Sequence, residues 1–121
     1  ESYGVTVSKQ MCDKPVAGTL WSFEDLAAHW DALILRSFIV ESSGRSLYQE
    51  GSLSVILPPH DLISRYSSSG RFPANTLMFC GTLPVIGGVR PAERFEFELE
   101  DPVRAQVIRH GYSVRCLPIQ G

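Results

Sequence analysis

The chain has no excess of basic residues, no long apolar run and no repeated cysteine spacing, and each shortage removes a class of function. Eleven Lys and Arg stand against thirteen Asp and Glu, a formal charge of −2, and the basic residues are scattered along the chain. A surface for nucleic acid or an anionic membrane wants a basic excess, so neither partner is expected. No apolar stretch approaches the length of a membrane span, and no charged region followed by an apolar one opens the chain. The three cysteines, Cys12, Cys80 and Cys116, form no C-x-x-C pair, which argues against a zinc site or a disulfide framework. They are expected to be buried, reduced thiols in a cytoplasmic protein. Nucleophile signatures of the G-x-S-x-G kind and phosphate-loop glycine patterns are missing too.

What remains is an ordinary globular composition, 44% apolar and 20% charged over 121 residues, enough for one domain with a modest core. The chain opens at Glu1 without Met, and Tyr3, Val5 and Val7 already alternate. Residues 1–121 are therefore expected to form a single domain that is the downstream part of a larger fold.

The pattern is mostly β with two short helices, an α+β fold. Ser22 has the features of an N-cap with Glu24 and Asp25 in the first turn, predicting a helix from Ser22 to His29 or Trp30 that packs by Phe23 and Trp30. Leu33–Val40 reads as a strand, Ser42–Arg45 as a turn and Ser46–Gln49 as the return of a hairpin. Glu50-Gly51-Ser52 is expected to interrupt it, and Leu53–Leu57 to add a short strand. Pro58-Pro59 opens a second helix, because proline is tolerated in a first turn, with His60–Ser67 filling it. Thr76–Cys80 reads as a buried strand. In Glu93–Glu100 the apolar residues Phe95, Phe97 and Leu99 alternate with Glu96, Glu98 and Glu100, the mark of a half-buried antiparallel strand. Ala105–Arg109 and Tyr112–Leu117 read as two more strands, with His110-Gly111 a bulge or turn between them.

The chain reads as organised around the stretch 72–90. There the Thr76–Cys80 run ends in Gly81, where a missing side chain lets backbone turn or approach a ligand. Thr82 follows with a hydroxyl and an amide. This pattern is compatible with an ordinary turn and with a set of donors for an anionic ligand. Glu96-x-Glu98-x-Glu100 invites comparison with a hard-cation site, but the solvent face of an amphipathic strand explains it more simply. His29, His60 and His110 are isolated, His110 beside Gly111 being the best placed. Lys9, with Lys14 nearby, reads either as a pocket lysine or as half of a solvated pair.

Taken in order, Ser8-Lys9-Gln10 with Asp13-Lys14-Pro15, Tyr48-Gln49-Glu50-Gly51-Ser52, Pro58-Pro59-His60-Asp61-Leu62-Ile63-Ser64, Cys80-Gly81-Thr82-Leu83-Pro84 and the Glu-alternating strand resemble the carboxy-terminal half of the fumarylacetoacetate hydrolase superfamily, closest to a bacterial branch of it. The resemblance covers nearly the whole chain. It implies a partial fumarylacetoacetate hydrolase-like twisted β-roll and a metal-dependent hydrolase or lyase that cleaves, hydrates or decarboxylates a small oxo-acid. Its cofactor would be Mg, acting as a Lewis acid. The family's site lysine would fall on Lys9 as a catalytic residue, and its Gly-Thr loop on Gly81 and Thr82 as contacts to the substrate carboxylate. Leu83 stands where many members have proline. The family's acidic metal ligands lie upstream of the lysine, so no ligand is assigned within this chain. The expected partners are a small oxo-acid, an upstream segment or second chain, and further copies in a homo-oligomer. The alternatives are a non-catalytic β-domain that uses its apolar strands with Phe95, Phe97, Trp21 and Trp30 for oligomer assembly, and a half-fold completed by exchange between chains.

Overall fold

The computed structural model describes residues 10–69 and 71–116. Among the described residues four antiparallel strands form one sheet: β1 (Ile34–Glu41), β2 (Gly44–Ser52), β3 (Arg94–Asp101) and β4 (Gln106–Ser113), in the spatial order β2-β1-β3-β4. Two short helices lie wholly within the described residues, α1 (Phe23–Leu26) and α2 (Pro59–Tyr66), and the fold is α+β, mainly β.

The two hairpins carry the expected alternation. β1 and β2 turn through Ser42-Ser43 into Gly44, whose φ of +122° suits a residue without a side chain. The pairing of Ser37 with Gln49 and of Phe38 with Leu47 leaves Tyr48 as an extra residue, a β-bulge. The bulge lets two consecutive residues, Tyr48 and Gln49, both be buried, which strict alternation would forbid. Gly51 does not interrupt the strand; β2 runs through to Ser52. Nor is Leu53–Leu57 a strand. Ser52 accepts a hydrogen bond from the Ser54 amide and so starts a 3-10 turn, Leu53–Val55.

His110-Gly111 is not a turn either, because β4 is continuous from Gln106 to Ser113. A Cβ at Gly111 would lie 3.0 Å from the Arg94 side chain and 3.0 Å from Glu96 Cγ. Glycine is there to let that neighbouring ion pair lie across the strand. The buried strand expected at Thr76–Cys80 is absent: the segment is irregular, with Leu77 67% and Phe79 66% exposed. An extended run becomes a strand only by pairing, and among the described residues nothing pairs with it. Asn75, at φ +61°, turns the chain immediately before it. The cysteines, expected to be buried, are all exposed and free; Cys80 and Cys116 lie outside the strands that were to bury them.

The first helix is shorter and tighter than expected. α1 gives way to a 3-10 segment, Ala27–Ala32, with a kink at His29. Ser22 does not cap a backbone amide; its hydroxyl bonds Glu24 instead. Phe23 and Trp30 do meet edge to face, centroids 5.6 Å apart. The core is Leu26, Leu33 and Leu53, with Trp21, Trp30, Leu35, Ile56 and Leu99 packed around it. Trp21 and Trp30 thus pack against this core while each stays partly exposed. Phe95 and Phe97 are half-buried in an aromatic row with Tyr48, Tyr112 and His110. Among the described residues no helix is long and apolar enough to cross a membrane.

Candidate functional site

Residues opposite one another in an antiparallel sheet share a face. Gln49 pairs with Ser37, Ser37 with Phe97, and Phe97 with His110. One transverse row therefore crosses all four strands, spanning about 14 Å at the usual strand spacing. At its β2 end the row is capped by the loop that carries Gly81 and Thr82.

That loop is fastened to β2 at several points. The Ile86 amide donates to the Tyr48 carbonyl at 2.8 Å. Leu83 is only 3% exposed, and a Cβ on Gly51 would come within 3.2 Å of its Cδ1. Gly51 is thus the notch that receives Leu83, and the leucine found where the resembled family often has proline is an apolar anchor. Gln49, 6% exposed, donates from Nε2 to the Leu83 carbonyl and, at 2.8 Å, to Thr82 Oγ1. Behind it, the Ser37 hydroxyl donates to Gln49 Oε1 at 2.7 Å, and Ser37 is 2% exposed. Gly81 has φ +132°, where a side chain would be strained, and sits against Ile56. Gly81 and Thr82 themselves remain exposed.

The structure therefore places two of the expected site residues together on a docked loop. Lys9 lies outside the described residues, and so does any pocket it would share with Lys14. Lys14 bonds the carbonyls of Gln10 and Cys12. Ser37 and Gln49 were not expected. The available signal was Ser37 itself, a hydroxyl on the inward side of β1 between Leu35 and Ile39, which demands a buried partner.

The opposite face of the sheet carries Glu96, Glu98 and Glu100, and it is not simply solvated. Arg36 bonds Glu50 and Glu100 and lies 3.4 Å from Glu98. Arg45 and Arg94 meet Glu96 at 2.9 and 3.0 Å, and Arg109 meets Glu98 at 3.1 Å. Arg94 first, then Arg45, hold the Glu96 carboxyl below its ordinary range. Glu100 and Glu50 push the Arg36 guanidinium up. These carboxylates are engaged by arginines. Among the described residues no three His, Cys, Asp or Glu side chains come together as a metal site, so the described residues do not fit a magnesium ion.

A second pairing was also missed. The Asp101 carboxyl, fully buried, receives His29 Nε2 at 2.9 Å and the amides of Val103 and Arg104 at 3.0 and 3.1 Å. His29 is thus a structural tie between the 3-10 segment and the β3–β4 turn. His60 stays exposed beside Asp61. His110 stacks edge-on to Phe97, at 5.6 Å.

Two depressions stand out among the described residues. One, about 310 Å³, lies over the arginine–glutamate face. The other, about 440 Å³, lies between the 3-10 segment and the start of α2, lined by Trp30, Pro58 and His60 among others. Neither includes Gly81 or Thr82, so the docked loop presents its donors on an open surface.

A family model described as "Protein of unknown function (DUF2848)" matches residues 1–112. No curated protein and no solved structure matches the chain.

Proposed function

The chain belongs to the DUF2848 family, whose function is unknown; from the resemblance of its motifs to the fumarylacetoacetate hydrolase superfamily we propose that it is part of a divalent-metal-dependent hydrolase or lyase acting on a small oxo-acid. The observation that carries this reading is the exposed Thr82 hydroxyl beside Gly81 on a loop immobilised by Leu83, Gln49 and Ile86. A donor held rigid before its ligand arrives loses little freedom on binding. A carboxylate, which only accepts, is the complementary group. Lys9 would act on the same substrate as a catalytic residue. Magnesium, when bound, would polarise the oxo group. The described residues do not fit it, so its ligands belong to an upstream segment or a second chain in this reading, and no step is assigned through it. Cleavage, hydration and decarboxylation all fit such a carboxylate anchor.

The test is turnover of a panel of oxo-acids and acylpyruvates by the full-length protein with Mg²⁺. Thr82→Val, which keeps the shape and removes the hydroxyl, is expected to lower kcat/KM by roughly ten- to a hundredfold, the worth of a hydrogen bond to a charged group. Equal turnover by the variant would sink the reading.

A second reading, a non-catalytic β-domain used for oligomer assembly, draws on the exposed apolar side chains of the segment after β2. Val55 is 69%, Leu77 67%, Phe79 66% and Val89 88% exposed. Exposed apolar side chains gathered into one patch commonly mark interfaces. The two readings part on the same assay: an assembly domain gives no turnover that depends on Thr82.

A further inference from the structure

We propose that Gln49 is a positioning residue that sets the direction of the Thr82 hydroxyl, keeping its proton on the outward side as a donor for a ligand carboxylate. The proposal deepens the reading of Gly81-Thr82 as a carboxylate contact and rests on it.

The argument is a count of protons along one buried chain of hydrogen bonds. The Leu83 carbonyl has no proton, so the Gln49 atom that faces it must be the nitrogen. That fixes the whole amide. Its oxygen then faces Ser37, whose hydroxyl must donate to it, as the 2.7 Å contact allows. The amide nitrogen has two protons. One goes to the Leu83 carbonyl and the other points at Thr82 Oγ1, 2.8 Å away. Thr82 oxygen is therefore an acceptor on its inner side. Its single proton has to leave on the other side, where Thr82 is exposed. Ser37 and Gln49 are 2% and 6% exposed, so water does not compete for either and the polarity is not free to invert.

The consequence is a hydroxyl proton kept available on the outer side. A threonine hydroxyl in water donates and accepts with equal ease. This one, with Gln49 and the Leu83 carbonyl already satisfied inward, offers a donor outward. A carboxylate oxygen meets that proton well, and one Thr82 lone pair also remains on the outer side. The bulge at Tyr48 is what brings Gln49 to this place, since it turns two consecutive side chains inward. A straight β2 would have aimed one of them at the other face.

The experiment uses the full-length protein with its glutamine side-chain amides labelled with ¹⁵N, and pyruvate with Mg²⁺ as the probe. In Thr82→Val one of the two Gln49 amide proton signals is expected to shift as its acceptor disappears, while the one held by the Leu83 carbonyl stays. This measurement needs no change at a buried position. In calorimetric titration, Gln49→Glu is expected to weaken pyruvate about tenfold or more. A carboxylate at position 49 draws the Thr82 proton inward and removes the outward donor. Thr82→Val should lose a similar factor, Thr82→Ser should bind within about twofold of the original, and the double change Gln49→Glu with Thr82→Val should lose no more than either alone, because both remove the same proton.

Three results would overturn the proposal. If neither Gln49 amide proton responds to Thr82→Val, the contact is not made in solution. If Gln49→Glu binds pyruvate normally while Thr82→Val does not, the loop reading survives and Gln49 has no positioning role. If the unmodified protein fails to bind pyruvate, or Thr82→Val binds it equally well, the loop reading itself is wrong and the proposal falls with it.

Discussion

Leu33→Ala is expected to destabilise the protein by about 2–5 kcal/mol, the range for truncating a fully buried leucine whose surroundings cannot collapse into the space. Leu33 is 0% exposed and lies at the junction of three elements. Its amide donates to the Trp30 carbonyl at 3.2 Å, and its carbonyl accepts from the Leu53 amide at 3.0 Å. Both flanking backbones are thus pinned, which limits how far they can move to fill a cavity. The described core is small: Leu26, Leu33, Ile39, Tyr48, Leu53 and Leu83 are its buried apolar members. A loss of this size is a large part of an ordinary domain's 5–15 kcal/mol or so. Urea unfolding checks it: the midpoint should fall sharply with little change in slope. Leu20→Ala, at a position 79% exposed, should shift stability by no more than about 0.5 kcal/mol. Equal effects at the two positions would mean that the 3-10 segment does not pack on the sheet.

The second large effect is expected at Asp101, and it depends on pH. Burial works to raise this carboxyl. The hydrogen bond from His29 and those from the Arg104 and Val103 amides outweigh burial, so the group is held below its usual range. Arg104 Nε lies 3.9 Å away and adds to the positive surroundings. A carboxyl whose value is lower folded than unfolded contributes stability above its unfolded value, about 3.9. That contribution is lost as pH falls through the folded value. Asp101→Asn keeps the shape and an acceptor for the amides but removes the charge facing His29. The native chain should therefore be the more stable of the two at neutral pH. Their unfolding midpoints should converge as pH drops below about 4. A gap that persisted unchanged into acid would show that the charge of Asp101 is not what ties the 3-10 segment to the β3–β4 turn.

Much of the fold was legible in the sequence because it is local. The hairpin around Gly44, the proline start of α2 and the alternation of Phe95, Phe97 and Leu99 with glutamates are set by neighbours a few residues apart, and each stands where expected. The failures share a cause. Gly51 and Gly111 look like strand breakers, yet each is a place where another part of the molecule passes close: Leu83 over the first, the Arg94–Glu96 pair over the second. A glycine that makes room and a glycine that makes a turn are identical in sequence. Thr76–Cys80 has the residues of a strand, but strand formation needs a partner edge, and that is a tertiary property.

The candidate site divides along the same line. Gly81 and Thr82 were singled out through the resemblance to a Gly-Thr loop, because the residues alone are compatible with an ordinary turn as well. Ser37 offered a signal as a hydroxyl between Leu35 and Ile39, but the role of Gln49 lies in a bulge and in a loop 33 residues further on. The glutamates of β3 were read by their own alternation, while the arginines that engage them come from β1, β2 and β4 as well as from β3 itself.

The most direct test of the central claim, that the Gly81-Thr82 loop is where a carboxylate binds, is the footprint of pyruvate on the isotope-labelled full-length protein with Mg²⁺ present. The natural competitor for an anion is the opposite face, where Arg36, Arg45, Arg94 and Arg109 lie. Saturable signal changes confined to Gly81, Thr82, Leu83 and the Gln49 side chain are the expected result. Changes confined to the four arginines, or none anywhere, would contradict the claim.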